Sequence, residues 1–296
     1  YCKQLLLFFL FGMHLASAQS TGKIVLDQEG FYPEAAKIAV IIGRETNAPF
    51  YLIRENQGDT VYRGTLSAQR RSSNSSLYTR IADFSQFKQA GSFHISVPDC
   101  APSGIFRIAK AVHRTAAVAS LKGFYYLRAS MPLEKQYAGK WARPEGHPDT
   151  AVLIHPSAAS PGRKAGAVIS APGGWYDAGD YNKYIVNSGI TMGTLLSAYE
   201  DFKPYFDTLR TNIPSIGEQI PDLLNEIIYN LRWMLSMQDP GDGGVYHKCT
   251  NADFDAMIMP EAARKPRFVV QKGTAATLDF AAVTAQAARS LAAYKK

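Results

Sequence analysis

The sequence is poor in cysteine, has no clustered charge of one sign, and offers no apolar run long enough for a bilayer. Three Cys stand in 296 residues, at positions 2, 100 and 249. That number and spacing exclude a disulfide framework. Nothing supports a bridge between Cys100 and Cys249, so two thiols are expected. Charged residues are 19% of the chain against 46% hydrophobic, a balance that supports a large packed core and excludes a disordered chain. The formal net charge is +7, yet the longest basic runs are Arg70–Arg71 and Lys295–Lys296. A nucleic-acid groove concentrates Lys and Arg on one face or stripe, so no nucleic-acid partner is expected, and the excess reads as a solubility term. Spanning a bilayer takes about 20 apolar residues, so no membrane partner is expected either. Internal repeats and low-complexity tracts are also missing.

What is present begins with a leader. Lys3 supplies a positive n-region, Leu5 to Phe11 an apolar core, and Ala16-Ser17-Ala18 a small-x-small cleavage pattern. Residues 1–18 are therefore expected to be a signal peptide that directs secretion, extracellular or periplasmic. The chain opens on Tyr1 rather than Met, so the gene product is expected to start upstream. Asn74-Ser75-Ser76 matches a glycosylation acceptor, which matters only in a eukaryotic secretory route.

From Lys23 to about Ala111 short β runs alternate with turn residues. The runs are 23–26, 36–42, 50–54, 60–64, 77–81, 91–97 and 105–108, with Gly43, Gly58, Asp59, Pro98 and Gly104 as turn markers. Such a series in under about 100 residues predicts a β-sandwich. The pattern changes near His113. Helices are expected over 115–129, 184–199, 221–238 and 274–294. The third has the widest apolar stripe: Leu223, Leu224, Ile227, Ile228, Leu231, Met234 and Leu235. Polar loops at 139–174 and 239–272 are long enough to be functional or ordered by their own contacts.

The sharpest local feature runs from Gly173 to Tyr184: Gly-Gly-Trp-Tyr-Asp-Ala-Gly-Asp-Tyr-Asn-Lys-Tyr. Asp177 and Asp180 sit three residues apart among glycines and aromatics. Glycines let backbone approach a ligand, and Tyr and Trp offer flat apolar faces with polar edges. Two carboxylates can hold a water and deprotonate it. Spacing alone leaves two other readings open: Asp180 as the cap of the following helix with Asp177 fixing the loop, or a calcium site using both.

The stretch from Gly174 to Tyr181 resembles the signature of glycoside hydrolase family 9, the inverting cellulases. Pro221 to Glu226, Trp233 to Gln238, Gly243 to Lys248 and Thr274 to Val283 continue the resemblance in the same order. The N-terminal sandwich is similar to the immunoglobulin-like module that often precedes the catalytic domain. The resemblance implies an immunoglobulin-like β-sandwich over 22–111, followed over 112–296 by the N-terminal part of an (α/α)6 barrel. It implies Asp180 as general base, Asp177 as its partner in holding the water, and Trp175, Tyr176, Tyr246 and His247 as substrate-binding residues. The implied activity is hydrolysis of β-1,4-glucosidic bonds in cellulose or related β-glucans by a monomer, with endo action the first expectation. Exo-acting cellobiohydrolase, glucosaminidase, or a non-catalytic carbohydrate-binding protein are the alternatives.

Inversion also needs a general acid about 6.5–9.5 Å from the base. In the family this is a Glu near the C-terminal end of the barrel. Glu218, Glu226 and Glu261 do not stand in that motif, so the acid is expected beyond Lys296, and the chain by itself is expected to be inactive. Some family members hold a structural zinc with two Cys and two His just after the first barrel helix. Here His147 and His155 lie in that stretch, and Ala129, Ser130 and Gly146 stand where thiolates would be needed. No zinc and no cofactor for the chemistry are expected; structural calcium is left open.

Overall fold

The computed structural model describes residues 22–43, 48–217 and 219–294. The expected leader over 1–18, with Cys2, and Glu218 lie outside these described residues. The chain divides into two compact units between Thr115 and Ala116.

In the first unit the period-2 runs become strands: β1 (Lys23–Val25), β2 (Ile38–Ile42), β3 (Pro49–Arg54), β4 (Thr60–Thr65), β5 (Arg70–Arg71), β6 (Tyr78–Asp83), β7 (Gly91–Ser96) and β8 (Phe106–Ile108). They form two four-stranded sheets, in the orders β1-β2-β6-β5 and β4-β3-β7-β8. Every strand pair in them is antiparallel. Alternation decides what turns inward. Ala39, Ile41 and Ala82 come from one sheet, and Phe50, Leu52, Phe93, Ile95, Phe106 and Ile108 from the other, into one core. Loop phenylalanines complete it, with Phe31 edge-on to Phe84 at 5.2 Å and Phe87 edge-on to Phe93 at 5.2 Å. Such aromatic pairs add roughly 0.5–1.5 kcal/mol each beyond area burial. The sequence expectation of a sandwich is met, with β5 as an addition. Two adjacent arginines carry no apolar alternation, so only pairing with Tyr78 and Thr79 makes them a strand.

The helical part begins with α1 (Arg114–Tyr126) and α2 (Lys135–Ala138), and continues through α3 (Ile185–Asp201), α4 (Lys203–Thr208), α5 (Asp222–Ser236) and α6 (Thr274–Ser290). The four long helices match the four expected ones, and α2 and α4 are short additions. Helices α3 and α6 pack closely because small residues line their seam. A Cβ on Gly189 would stand 2.8 Å from Cβ of Asp279, closer than side chains approach. Met192, Leu196 and Tyr199 of α3 meet a core that includes Ala276, Phe280, Val283 and Ala287 of α6. Helix α5 adds Leu223, Leu224, Ile227, Trp233 and Met234 to the same core. The helices are part of an (α/α)6 barrel, after an immunoglobulin-like sandwich.

The two long polar loops are not loose. They supply β9 (Val152–Ile154), β10 (Val168–Ile169), β12 (Lys248–Thr250) and β13 (Phe268–Val269), which join β11 (Lys183–Tyr184) in a sheet of order β10-β9-β13-β12-β11. Only the β13–β9 pair is parallel. This sheet positions the aspartate motif, because β11 is the end of that stretch and leads directly into α3.

Candidate active site

The glycine-aspartate stretch is stitched to the end of α1. The Ala129 N–H donates to the Gly174 carbonyl at 2.9 Å, and the Tyr176 N–H donates to the Leu127 carbonyl at 2.9 Å. Gly174 has φ +81°, and a Cβ there would stand 2.8 Å from the Trp233 ring. Both the left-handed backbone and the close approach require glycine. The Asp177 N–H then donates to the Asn182 carbonyl at 3.0 Å, closing the loop that carries both aspartates.

Asp180 is half-buried and oriented. Its Oδ2 accepts hydrogen bonds from Asn182 Nδ2 at 2.9 Å and the Tyr184 hydroxyl at 3.0 Å. Its Oδ1 has no hydrogen-bond partner among the described residues. Asp177 is exposed, and its Oδ1 accepts from Asn187 Nδ2 at 2.6 Å. Burial pushes the Tyr184 phenol up, and the Asp180 carboxylate adds to this, so Tyr184 stays a donor. Helix α3 is capped by Tyr184 without a side-chain bond; Asp180 is therefore not its cap, and that reading of the motif is set aside. A cavity of about 60 Å³ lies between Trp175, Tyr176, Asp177, Tyr184, Phe124 and Thr191. This volume has room for water, which needs only about 10–15 Å³ on that measure.

Beneath the motif is a buried ionic cluster. Lys183 is fully buried, and its Nζ pairs with Asp149 Oδ2 at 2.8 Å. The same Nζ donates to the carbonyls of Ala171 at 2.9 Å and Gly173 at 2.7 Å. Arg267 grips Asp149 from the other side, at 3.0 and 3.3 Å. Its NH1 reaches Asn182 Oδ1 at 3.2 Å and Asn251 Oδ1 at 2.7 Å. Burial pushes Asp149 up, but Lys183 and Arg267 overcome it and hold the carboxyl below its usual value. Cys249 is packed against this cluster. Burial first, and then Asp149, push its thiol up to about 11.

The aromatic residues of the motif are buried supports. Trp175 Nε1 donates to Glu226 Oε1 at 2.7 Å, and Glu226 is held by Arg128 through both carboxylate oxygens, at 2.9 to 3.2 Å. The Arg128 guanidinium lies 4.3 Å from the Tyr229 ring centroid. The Tyr176 hydroxyl meets His147 Nδ1 at 2.9 Å, and burial pushes this phenol up. His247 is half-buried, with its ring 6.3 Å from that of Tyr184, the hydroxyl partner of Asp180. Burial first, and then Lys248, lower its pKa. The fold thus gathers Trp175, Tyr176, Asp177, Asp180 and His247 around one loop. Tyr246 is the exception. It is fully buried, with its hydroxyl 3.2 Å from Asp239 and 3.3 Å from Arg163. Its place is in the core rather than at the motif.

The residues at the expected zinc position do not fit a closed zinc site. His147 turns Nδ1 to Tyr176, and Ser130 Oγ is spent on the His147 carbonyl at 2.7 Å. Gly146 has no donor atom, and His155 Nδ1 bonds to Ser157 Oγ at 2.9 Å. Among the described residues no three His, Cys, Asp or Glu gather as a metal would need. None of the described helices is long and apolar enough to cross a membrane.

Several positioning residues were not assigned from sequence. Asn182, Tyr184 and Asn187 follow their aspartate partners within ten residues of chain, and their proximity was the available signal. Glu226 had a signal too, as a charge on the buried side of the apolar stripe of α5. Asp149, Arg267 and Asn251 had none, because they sit in polar loops far away in sequence.

A family model described as glycosyl hydrolase family 9 matches residues 113–296, and one described as a cellulase N-terminal ig-like domain matches residues 19–101. The chain is 45% identical over 292 residues to a xyloglucan-specific endo-beta-1,4-glucanase of Bacteroides ovatus, covering 97% of this chain and 49% of that protein. It is 36% identical over 279 residues to endoglucanase D of Acetivibrio thermocellus, covering 93% of this chain and 43% of that protein. A solved family 9 structure from Bacteroides ovatus superposes with a TM-score of 0.86 at 46% identity, over 92% of this chain and 49% of that one. The GH family 9 endoglucanase J30 gives 0.84 at 33% identity, over 89% of this chain and 49% of that one. The chain therefore spans about half the length of the curated relatives it matches.

Proposed function

Because the chain belongs to glycosyl hydrolase family 9, we propose that it carries the water-activating side of an inverting endo-β-1,4-glucanase site. The observation that carries this reading is the Asp180 carboxylate, fixed through Oδ2 by Asn182 and Tyr184 with Oδ1 left for a water. Asp177, at the wall of the neighbouring cavity, is the second carboxylate that holds the same water. Asp180 takes a proton from the water as its oxygen bonds to the anomeric carbon. The bond from that carbon to the glycosidic oxygen breaks, and a general acid protonates the departing sugar. One displacement inverts the anomeric centre. Trp175 and Tyr176 hold the loop from beneath, and His247 stands beside Tyr184 on the substrate side.

The general acid is proposed to lie in the part of the relatives' length that this chain does not span. Glu226 is not available for the role, because Arg128 and Trp175 occupy its carboxylate. Residues 19–296 alone are then expected to hydrolyse nothing. The substrate is proposed to be a β-1,4-glucan, cellulose or a decorated relative; xyloglucan enters because the Bacteroides ovatus relative is named for it. Secretion through the leader over 1–18, action as a monomer, an immunoglobulin-like sandwich over 22–111 and barrel helices over 112–296 belong to the same reading.

The test uses protein expressed from the complete reading frame of the gene, with a soluble β-1,4-glucan as substrate. Loss of a general base costs about 10²–10⁴ in rate, so Asp180→Asn should lower kcat by that factor and leave KM within a few fold. The first product seen by NMR should carry the α anomer. A variant within tenfold of the parent would remove Asp180 from the base role, and a β anomer would overturn single displacement.

A further inference from the structure

Residues 251–259 form a loop with an unusual crest. Phe254 is 69% exposed, Met257 104% and Met259 54%. Singly exposed apolar residues are ordinary, but four large ones within six positions, Ile258 included, need a reason. The loop is nonetheless held firmly. Lys265 Nζ donates to the Phe254 carbonyl at 2.8 Å and pairs with Asp255 Oδ1 at 3.3 Å. The Asp255 side chain is only 7% exposed, so it anchors the loop from inside.

Both ends of the loop are tied to the residues that follow Asp180. The Asn251 N–H donates to Asn182 Oδ1 at 3.1 Å, and the Tyr181 hydroxyl donates to the Ile258 carbonyl. Asn182 also donates to the Asp180 carboxylate. One side chain thus orients the proposed base and fixes the start of the loop. The Tyr181 ring packs 5.0 Å from that of the buried Tyr176. Apolar side chains are presented to solvent on a frame shared with the carboxylate that would face a sugar.

We propose that this loop is a rim of the glucan-binding site, with Phe254 and Met257 lying against the apolar C–H faces of the sugar rings beside Asp180. The inference rests on the hydrolase reading above and deepens it. A pyranose ring offers hydroxyls at its edge and C–H groups on its faces. An exposed phenyl ring and a flexible thioether suit those faces. The continuity of the loop with the aspartate motif through Asn182 and Tyr181 favours a glucan over another part of this protein's chain or a second copy.

The experiment compares Phe254→Ala and Met257→Ala with the parent, all expressed from the complete reading frame, on a soluble β-1,4-glucan. Removing a contact the size of a phenyl ring should raise KM about tenfold for Phe254→Ala and less for Met257→Ala. The kcat should stay within about twofold, because the base and its partners are untouched. Leu278→Ala is the control: Leu278 is 64% exposed on α6, in a hollow shared with Asp242, Lys272 and Thr277 that no residue of the loop lines, and its KM should not move. An active parent with an unchanged KM in both variants would overturn the inference while leaving the hydrolase reading intact. An inactive parent would overturn the hydrolase reading itself. Resistance of Met257 to peroxide in the sugar-free protein would show the crest covered by other chain. A dimer that Phe254→Ala dissociates would show a second copy there. Either result would also overturn the proposal.

Discussion

Asp149→Asn tests how far the buried ionic cluster holds the motif in place. The substitution keeps the shape of the side chain and removes one negative charge. Asp149 faces Lys183 at 2.8 Å and Arg267 at 3.0 Å, and all three side chains are nearly or fully buried. Removing one partner of a buried pair leaves an uncompensated charge and costs about 3–5 kcal/mol. Here two cations lose their carboxylate together. Lys183 keeps the carbonyls of Ala171 and Gly173, and Arg267 keeps Asn182 and Asn251, so the expected loss lies within that range rather than above it. For a unit of this size about 1 kcal/mol corresponds to about 2–4 °C in Tm. Thermal unfolding followed by circular dichroism at pH 7 should show a drop of about 6–20 °C. Asp242→Asn is the comparison, since Asp242 meets Lys272 at 2.6 Å with a side chain 56% exposed. An exposed partner is worth about 0–1 kcal/mol. The Asp149 carboxyl is held below its usual value. Its contribution is therefore present above the unfolded carboxylate pKa, near 3.9, and is lost as pH falls through the lower folded value. The gap between parent and Asp149→Asn should be widest near neutrality and begin to narrow below about pH 4. A loss under about 1 kcal/mol at pH 7 would refute the reasoning, as would a gap that does not narrow at all as pH falls below about 4.

Two further outcomes follow from the same unit. Burial first, and then Arg267, hold His147 neutral down to about pH 4, whereas an unfolded histidine titrates near 6.5. The unfolded state then binds the extra proton, so stability should fall by roughly 2–3 kcal/mol between pH 6.5 and 4. In His147→Gln that slope should vanish from a urea series. Cys249, with a thiol pushed up to about 11 and no exposed surface, should resist iodoacetamide at pH 8 and be labelled only after unfolding. Mass-spectrometric labelling of Cys249 in the native protein at the rate of a small thiol would contradict its placement.

Much of the architecture was legible because apolar periodicity is a strong signal. Phe93 and Ile95 alternate inward on β7, and Leu223, Leu224, Ile227 and Met234 of the predicted α5 stripe are buried, while Leu235 is exposed and the buried face turns toward Asn225, Glu226, Asn230 and Trp233. The aspartate loop was legible because its glycines and aromatics lie together in sequence. The supporting cluster was not, because Asp149, Lys183, Asn251 and Arg267 meet across 16 to 118 residues of chain that carry no periodicity. Strands of two or three residues, such as β10 and β13, are too short to alternate, so loops that read as polar and irregular became a sheet. Tyr246 shows the opposite limit. The family resemblance of its loop implied a substrate contact, while its ring has a place in the core and its hydroxyl a partner in Asp239.

The order of strands in that sheet has a kinetic consequence. β11, which carries the chain from Asp180 into α3, finds its neighbour only in β12, where Lys183 stands opposite Cys249. β9 in turn waits for β13, where Leu153 stands opposite Phe268. Such non-local pairing folds late, because loop closure must precede any reward from the contact. On a ribosome that adds about 5–20 residues per second, the aspartate loop would emerge several seconds before the strand that frames it. Helices α3 and α5 can form in that interval from their own sequence, but the loop bearing Asp180 cannot be fixed until residues near 250 and 268 have left the exit tunnel. The framework that aligns the carboxylate is therefore expected to be among the last parts of the unit to assemble.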